Sequence, residues 1–342
     1  MTHAPVRRSG PMLLTSALAL LLTVLLCGSG CSPRFTLVSP AGSDPFEERT
    51  LSGKGSDKIL ILPVQGFLSL SPGQGLLGER PSPVQEVAAE LSLAAEDTAI
   101  KAVVLTIDSP GGSVTASDIL YDQVMRFKAA RGVPVVAALL GLAASGGYYT
   151  AIAADRVVAH PTTLTGSIGT IFIRPDLKGL MDKLGLEAEI AKSGPRKDMG
   201  SPLRHSQAEE RRLLQDMVAD LNGRFLAKVQ ERRGLNAARL ATVADGRVFT
   251  ANQALAVGLV DRIGYVEDAL DEARGLAGLE KSAKVVVFRR REFANDTVYN
   301  TMRNESPAAP ELSLAGVTQA LMGVPAPGFY HLWLPTGTPL VP

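Results

Sequence analysis

The sequence predicts an α/β fold in which a mostly parallel sheet is flanked by helices. Three apolar runs carry this prediction: KILILPVQG at 58–66, KAVVLTI at 101–107 and VPVVAAL at 133–139. Runs that are apolar over their whole length are typical of strands buried on both faces. Helical patterns at 84–97 and 116–131 separate these runs. Strands that alternate with helices in this way indicate βαβ units and a parallel sheet.

The same alternation continues through the second half of the chain, and no internal repeat is visible. We expect residues 58–290 to form one domain, because this segment contains every strongly periodic element. Further strands are expected at 156–160, 186–191 and 284–290, and further helices at 145–154, 176–184, 206–233, 250–257 and 265–277.

Charge and motifs exclude several function classes. The chain has 35 basic and 34 acidic side chains, which leaves a net charge of +1 and argues against a nucleic-acid-binding surface. There is no G-x-x-x-x-G-K-[ST] motif and no G-x-G-x-x-G motif that opens a helix. Nucleotide binding is therefore unsupported, and no cofactor or metal is expected.

The first thirty residues have the pattern of a secretory signal peptide. Two arginines precede a mostly apolar run from 12 to 26, which is shorter than the roughly 20 residues that span a bilayer. Small residues before Cys31 resemble a bacterial lipobox, although Gly28 stands where leucine is commonest. We expect cleavage of segment 1–30, a lipid on Cys31 and a linker over 31–57. An ordinary secretory signal and an uncleaved anchor are the alternatives.

The C-terminal segment 291–342 is rich in proline and differs in composition from the domain before it. Its stretch FYHLWL at 329–334 is too apolar for free solvent. The segment either drapes over its own domain or docks on a neighbouring subunit.

Three glycine-bearing loops follow predicted strands: DSPGGS at 108–113, GLAASGG at 141–147 and TGSIG at 165–169. In an open α/β sheet the carboxyl ends of the strands collect such loops at one edge, where ligands bind. Glycine lets backbone N–H groups approach a ligand closely, so these loops could form an oxyanion hole. The site is therefore expected at this edge of the sheet.

Ser145 is the candidate nucleophile because it lies at a strand-to-helix turn within GLAASGG. Acyl transfer also needs a base, and the residues alone do not select one. His160 and His205 have no distinctive local context. Lys197 lies in the turn-rich segment KSGPRKDMGSP, where a lysine is ordinarily solvated. An exposed lysine has a pKa of about 10.4 and becomes a base only where burial lowers that value.

The motifs IDSPGGSV, ASGGYY, TGSIG and KSGPRKDMGSP, in this order, resemble the signal peptide peptidase A family of serine peptidases, family S49. The resemblance covers roughly residues 57–277. It implies a ClpP/crotonase-like fold of repeated β-β-α units and a Ser–Lys dyad. Some members of the family have two copies of this domain, whereas this chain has one. The resemblance implies that single-copy members assemble into a homo-oligomeric ring, in which each subunit completes its neighbour's site.

The resemblance assigns roles residue by residue. Ser145 corresponds to the nucleophile, Lys197 to the general base and Ser167 to the hydroxyl that orients the lysine amine. The amides of Gly112 and Gly146 correspond to the oxyanion hole. The implied substrates are cleaved signal peptides and short unfolded segments, hydrolysed through an acyl-enzyme on the periplasmic side of a bacterial envelope.

Three other functions remain open at this point. A crotonase-type acyl-CoA enzyme would share the fold and the oxyanion hole, but it would not need Ser145 with Lys197. A ClpP-like peptidase would use a histidine base. A catalytically inactive envelope lipoprotein would bind peptides or act as a scaffold.

Overall fold

The computed structural model describes residues 44–75, 78–300 and 327–333, and strands alternate with helices over most of this part of the chain. The strands are β1 (Glu47–Ser52), β2 (Lys58–Leu68), β3 (Gly73–Gly75), β4 (Gly78–Arg80), β5 (Ile100–Ser113), β6 (Val135–Ala144), β7 (Arg156–Ala159), β8 (Leu164–Gly166), β9 (Ile171–Ile173), β10 (Val248–Thr250), β11 (Arg262–Ile263), β12 (Lys284–Arg289) and β13 (Gly328–Leu332). The helices are α1 (Pro83–Glu96), α2 (Val114–Arg131), α3 (Gly146–Ala151), α4 (Lys178–Leu184), α5 (Ala208–Arg233), α6 (Ala237–Val243), α7 (Ala251–Val257) and α8 (Val266–Ala277).

The central sheet follows the order β1-β12-β2-β5-β6-β7-β11. Along this order all neighbouring pairs from β12 to β11 are parallel, and the edge strand β1 runs antiparallel to β12. Short strands off this order add antiparallel pairs: β10 with β8, and β13 with β5 and β9. The predicted α/β fold with a mostly parallel sheet is therefore confirmed. Because the strands are parallel, their carboxyl ends and the loops that follow them lie at one edge.

Strand β5 at the centre of the sheet is buried on both faces, as its continuous apolar sequence predicts. Leu105 and Ile107 pack into the core beneath α1, α2 and α3, while Ala102 and Val104 face the second core cluster. Helix α8 covers that second face with Val266, Ala269, Leu270 and Ala273. The two layers of helices hold the end of β5 in a fixed position.

We expect Leu105→Ala to lower the free energy of unfolding by about 2–5 kcal/mol, because it leaves a cavity in a fully buried site. Urea denaturation followed by circular dichroism measures this loss. Leu276→Ala is the control, since Leu276 on α8 is 44% exposed. An equal loss in both variants would contradict the placement of the core.

Two segments differ from the sequence-based expectations. Residues 47–52 of the expected linker form β1, whose polar sequence is typical of an edge strand. The expected strand at 186–191 is wrong: these residues are exposed and form neither strand nor helix. Its alternating pattern LEAEIA indicates a half-buried strand, but no neighbouring strand pairs with it.

The expected signal peptide 1–30, Cys31 and much of the proline-rich segment lie outside the described residues. Within 44–75, 78–300 and 327–333, no helix is both long and apolar enough to cross a bilayer.

Candidate active site

Ser145 occupies the tight turn between β6 and α3. Its backbone has φ 53° and ψ −113°, a conformation that costs a residue other than glycine about 1–3 kcal/mol. The turn is held in place because the Ser145 amide donates to the Gly166 carbonyl at 2.7 Å and the Ser145 carbonyl accepts from the Tyr149 amide at 2.8 Å. A strained strand-to-helix turn also presents the nucleophilic serine of the α/β-hydrolases.

The hydroxyl of Ser145 is buried and forms no hydrogen bond with the described residues. The residue is 1% exposed, and its Oγ has no hydrogen-bond partner among the described residues. A buried hydroxyl without a protein partner is uncommon in native proteins and calls for an explanation, of which a catalytic role is one.

Strand β8 brings Ser167 to the same edge of the sheet. It pairs in parallel with β6, so that Gly166 lies opposite Ala144 and Ser167 follows directly. Ser167 has a φ of 50°, and its amide donates to the Arg247 carbonyl at 2.8 Å. Two serines with left-handed backbone conformations therefore lie on adjacent turns.

The glycine loop, residues 108–113, is paired as the last part of strand β5 and is not the free loop that the sequence predicts. It packs directly against the start of α3. A Cβ on Gly111 would lie 2.6 Å from the Gly146 backbone nitrogen, and one on Gly112 would lie 2.0 Å from the Leu68 carbonyl oxygen. Only glycine allows this approach of main chain to main chain. The loop is fixed by Ser109, whose Oγ donates to Gly66 O at 2.7 Å and accepts from the Gly111 amide at 3.1 Å.

The two tyrosines after Ser145 fasten α3 to the domain. Tyr148 is fully buried and donates to the Leu259 carbonyl at 2.7 Å, and this burial raises the pKa of its hydroxyl. Tyr149 donates to Asp118 Oδ1 at 2.7 Å. Burial, reinforced by the Asp118 carboxylate, raises the pKa of Tyr149 as well. Both hydroxyls therefore stay protonated near neutral pH and serve as hydrogen-bond donors.

Lys197 is exposed on a loop, whereas the Ser145 hydroxyl is buried. Its Nζ forms no hydrogen bond or ion pair with residues in the described ranges, and its amide donates to Gly194 O at 3.2 Å. The structure of one subunit therefore gathers Ser145, Ser167, Gly112 and Gly146 at one edge of the sheet, but it does not bring Lys197 into contact with Ser145.

The loop that carries Lys197 is anchored by a network of charges. Asp198, directly after Lys197, accepts from Arg204 Nε at 2.8 Å and pairs with Lys192 Nζ at 2.8 Å. Arg204 also bridges to the buried carboxylate of Glu210 on α5. Hydrogen bonds from Arg204 and then Lys192 hold the pKa of Asp198 below its ordinary value. Lys192 is therefore held in an ion pair with Asp198, whereas the Lys197 amine has no such partner among the described residues.

The other candidate bases lie in ordinary surroundings. His160 Nδ1 is 2.9 Å from Thr162 Oγ1, and its ring meets Tyr265 edge to face with the centroids 4.9 Å apart. His205 is exposed and pairs with Asp176 at 3.0 Å. Among the described residues, no group of three or more His, Cys, Asp or Glu side chains is arranged to hold a metal ion.

Sequence reasoning did not identify the role of His331. This residue lies on β13, is 1% exposed, and stacks on Tyr149 with the ring centroids 5.4 Å apart. Burial lowers the pKa of His331 to about 4, so its imidazole is neutral near pH 7. The apolar stretch FYHLWL predicts that His331 is buried, but it does not predict which residues bury it.

Two family profiles match this chain. The profile of peptidase family S49 matches residues 128–280, and that of the Clp proteases matches residues 81–165, which confirms the ClpP-like fold. A candidate signal peptide peptidase SppA of Enterococcus faecium is 35% identical over 257 residues, which are 75% of this chain and 73% of that protein.

Two further proteins are similar to a smaller part of this chain. Protease 4 of Salmonella typhi is 35% identical over 185 residues, 54% of this chain, but only 30% of that longer protein. A ClpP1 variant of Listeria monocytogenes aligns with a TM-score of 0.39 and 18% identity over 63% of this chain and 95% of its own. The family profile and the Enterococcus relative together show that the chain belongs to peptidase family S49 and is a serine peptidase.

Proposed function

We propose that the chain is an endopeptidase that cleaves peptides with a Ser145–Lys197 dyad. The strained turn of Ser145 supports this proposal most directly, because it holds an unpartnered hydroxyl next to the Gly111–Gly112 loop and the Gly146 amide. Strain of this kind persists only where the surrounding structure enforces it, and it clusters at active sites.

The proposed reaction begins with a neutral Lys197 amine that accepts the Ser145 Oγ proton while Oγ bonds to the peptide carbonyl carbon. The carbonyl oxygen becomes an oxyanion, which accepts hydrogen bonds from the amides of Gly112 and Gly146. Lys197 then donates the proton to the leaving amine as the C–N bond breaks. A water molecule, deprotonated by the same amine, hydrolyses the acyl-enzyme. The Ser167 hydroxyl orients the amine.

We further propose that Lys197 acts on the Ser145 of a neighbouring subunit in a homo-oligomeric ring. Two observations support an intermolecular dyad: Lys197 is exposed on its own subunit, and the loop around it is anchored by Arg204 and Asp198. Burial against a second subunit would remove water from the amine, and desolvation favours the neutral form of a lysine that a base requires.

The proposed substrates are cleaved signal peptides and short unfolded segments, with the enzyme held at the periplasmic side of a bacterial envelope by a lipid on Cys31. The similarity to the Enterococcus protein named as a candidate signal peptide peptidase supports this substrate class. The signal-like sequence before Cys31 supports the location.

A fluorophosphonate probe tests the nucleophile directly. We expect the probe to attach to the wild-type chain at Ser145 when incubated to completion, and the Ser145→Ala variant to stay unlabelled. Ser92→Ala is the control, since Ser92 is an exposed serine on α1. Labelling that persists in Ser145→Ala would overturn the assignment. A wild-type chain that binds peptides but is never labelled would support the inactive lipoprotein instead.

A further inference from the structure

Strand β13 fills a gap between two strands at the candidate active site. On one side it pairs antiparallel with the end of β5, with His331 opposite Gly112 and Leu332 opposite Gly111. On the other side it pairs antiparallel with β9, with Phe329 opposite Phe172. A segment that adds a strand in this way uses the main-chain groups that an extended peptide would use.

The main chain of His331 lies against the predicted oxyanion hole. A Cβ placed on Gly111 would lie 2.1 Å from the His331 carbonyl oxygen, and one on Gly146 would lie 3.1 Å from the same oxygen. The chain continues beyond this point, since the Trp333 amide donates to Pro110 O at 3.0 Å. The segment therefore crosses the site as an extended chain, with one carbonyl beside the two glycines.

The side chain of His331 fills a pocket beside that carbonyl. Tyr149 stacks on its ring at 5.4 Å, and Phe225 lies against it at 4.8 Å between centroids. Its Nδ1 lies 3.1 Å from both Thr170 Oγ1 and Gly169 O. The pocket is thus formed by two aromatic rings with one polar edge, and it accepts a flat, uncharged ring.

With β13 in place, Ser145 is 1% exposed. A peptidase of this family must bring a peptide carbonyl to that hydroxyl, so whatever covers the site has to leave first. Strand β13 is the described segment whose carbonyl lies beside Gly111 and Gly146, so its departure is the change that would admit a peptide.

We propose that β13 is a pseudosubstrate, which occupies the peptide-binding groove and must be displaced by an extended peptide carrying an uncharged ring side chain at the position of His331. This inference rests on the proposed function, since it takes the groove beside Ser145 as the substrate site. It assigns two properties to the protein: closure of the site by its own chain, and preference for an aromatic or neutral imidazole ring in the Tyr149–Phe225 pocket.

The charges around the pocket predict how pH affects this closure. Asp118 on α2 and Arg224 on α5 form an ion pair at 2.9 Å behind Tyr149, and no cation contacts the imidazole itself among the described residues. Burial lowers the pKa of docked His331 to about 4, against about 6.5 for a free histidine. Release therefore takes up a proton between these values. Closure should weaken roughly tenfold per pH unit as pH falls from 6.5 towards 4.

The experiment compares His331→Asp with His160→Asp in the full chain. An ionised carboxylate between Tyr149 and Phe225 would be desolvated without a partner, so it should expel β13. His160 contacts Thr162 and Tyr265, neither of which belongs to β13, and it undergoes the same chemical change. Binding of a fluorescent peptide of sequence PGFYFLW is measured by anisotropy. It copies residues 327–333 with phenylalanine at the position of His331, so that the affinity of the peptide itself does not change with pH. The rate of fluorophosphonate attachment to Ser145 is measured in parallel.

We expect His331→Asp to bind the peptide at least about tenfold more tightly than the wild type and His160→Asp, because the competing segment is gone. The fluorophosphonate should attach to Ser145 of this variant faster than to the wild type, and added peptide should slow the attachment again. His331→Phe should stay closed and lose the pH response. Peptide binding that is equal in all variants, or a wild type that binds as tightly at pH 7 as at pH 5, would overturn the inference. If peptide binding responds as expected but Ser145 is never labelled, the catalytic proposal fails and the inference stands.

Discussion

Replacing Lys197 with alanine should lower kcat/KM for a fluorogenic peptide by about 10³-fold, because the Ser145 hydroxyl then has no base to accept its proton. Lys192→Ala is the matched control, since this lysine lies five residues earlier in the same segment. Lys192 already pairs with Asp198 at 2.8 Å, and Arg204 continues to hold that carboxylate when the lysine is removed. We therefore expect Lys192→Ala to retain most of the activity. Comparable losses in the two variants would rule out Lys197 as the specific base.

A mixing experiment separates an intermolecular dyad from an intramolecular one. Ser145→Ala and Lys197→Ala are each inactive in the proposal, but subunits exchanged between them would pair an intact serine with an intact lysine. Random assembly of equal amounts should restore about a quarter of the sites if the dyad spans a ring interface. A mixture that stays as inactive as its two components after exchange would place both dyad residues in the same subunit.

The Gly112→Ala variant should lose about 10²–10³-fold in kcat, the range expected when an oxyanion-hole donor is displaced. The added Cβ would lie 2.0 Å from Leu68 O and 2.5 Å from Leu68 N, and these are backbone atoms that cannot rotate away. The glycine loop would therefore have to move, and the Gly112 amide would move with it.

Gly141→Ala is the matched control for this prediction. A Cβ at Gly141 meets nothing closer than Asp108 Oδ1 at 3.5 Å, which is an ordinary contact. We expect its kcat to equal that of the wild type. Thermal melting followed by circular dichroism shows whether each variant is folded at the assay temperature. A folded Gly112→Ala with the wild-type kcat would exclude this loop from the oxyanion hole.

The buried strands could be predicted from the sequence because local pattern determines them. Continuous apolar runs located β2, β5 and β6, although β5 and β6 end six and five residues after the predicted ends. Glycine-rich stretches near the ends of these strands pointed to Ser145 and Gly112 as candidate site residues. The alternation in LEAEIA could not show whether a partner strand was present, so the strand at 186–191 was wrong.

The position of His331 could not be predicted for a related reason. Its partners Gly112, Tyr149 and Thr170 are far from it along the chain, and hydrophobicity alone does not specify a partner. The proposed base posed a different difficulty, because the contacts proposed for it with a second subunit would leave no periodic signal in the sequence. Only the motif around Lys197 distinguished it from the other lysines.

The backbone of Ser145 has a consequence for how this protein tolerates change. At φ 53° and ψ −113°, glycine would adopt the turn with less strain than serine does. The position proposed to supply the reactive hydroxyl is therefore one where the chain would fold more easily with glycine. A library of variants selected for thermal stability alone would favour loss of the serine, so stability and catalysis have to be selected together at this residue.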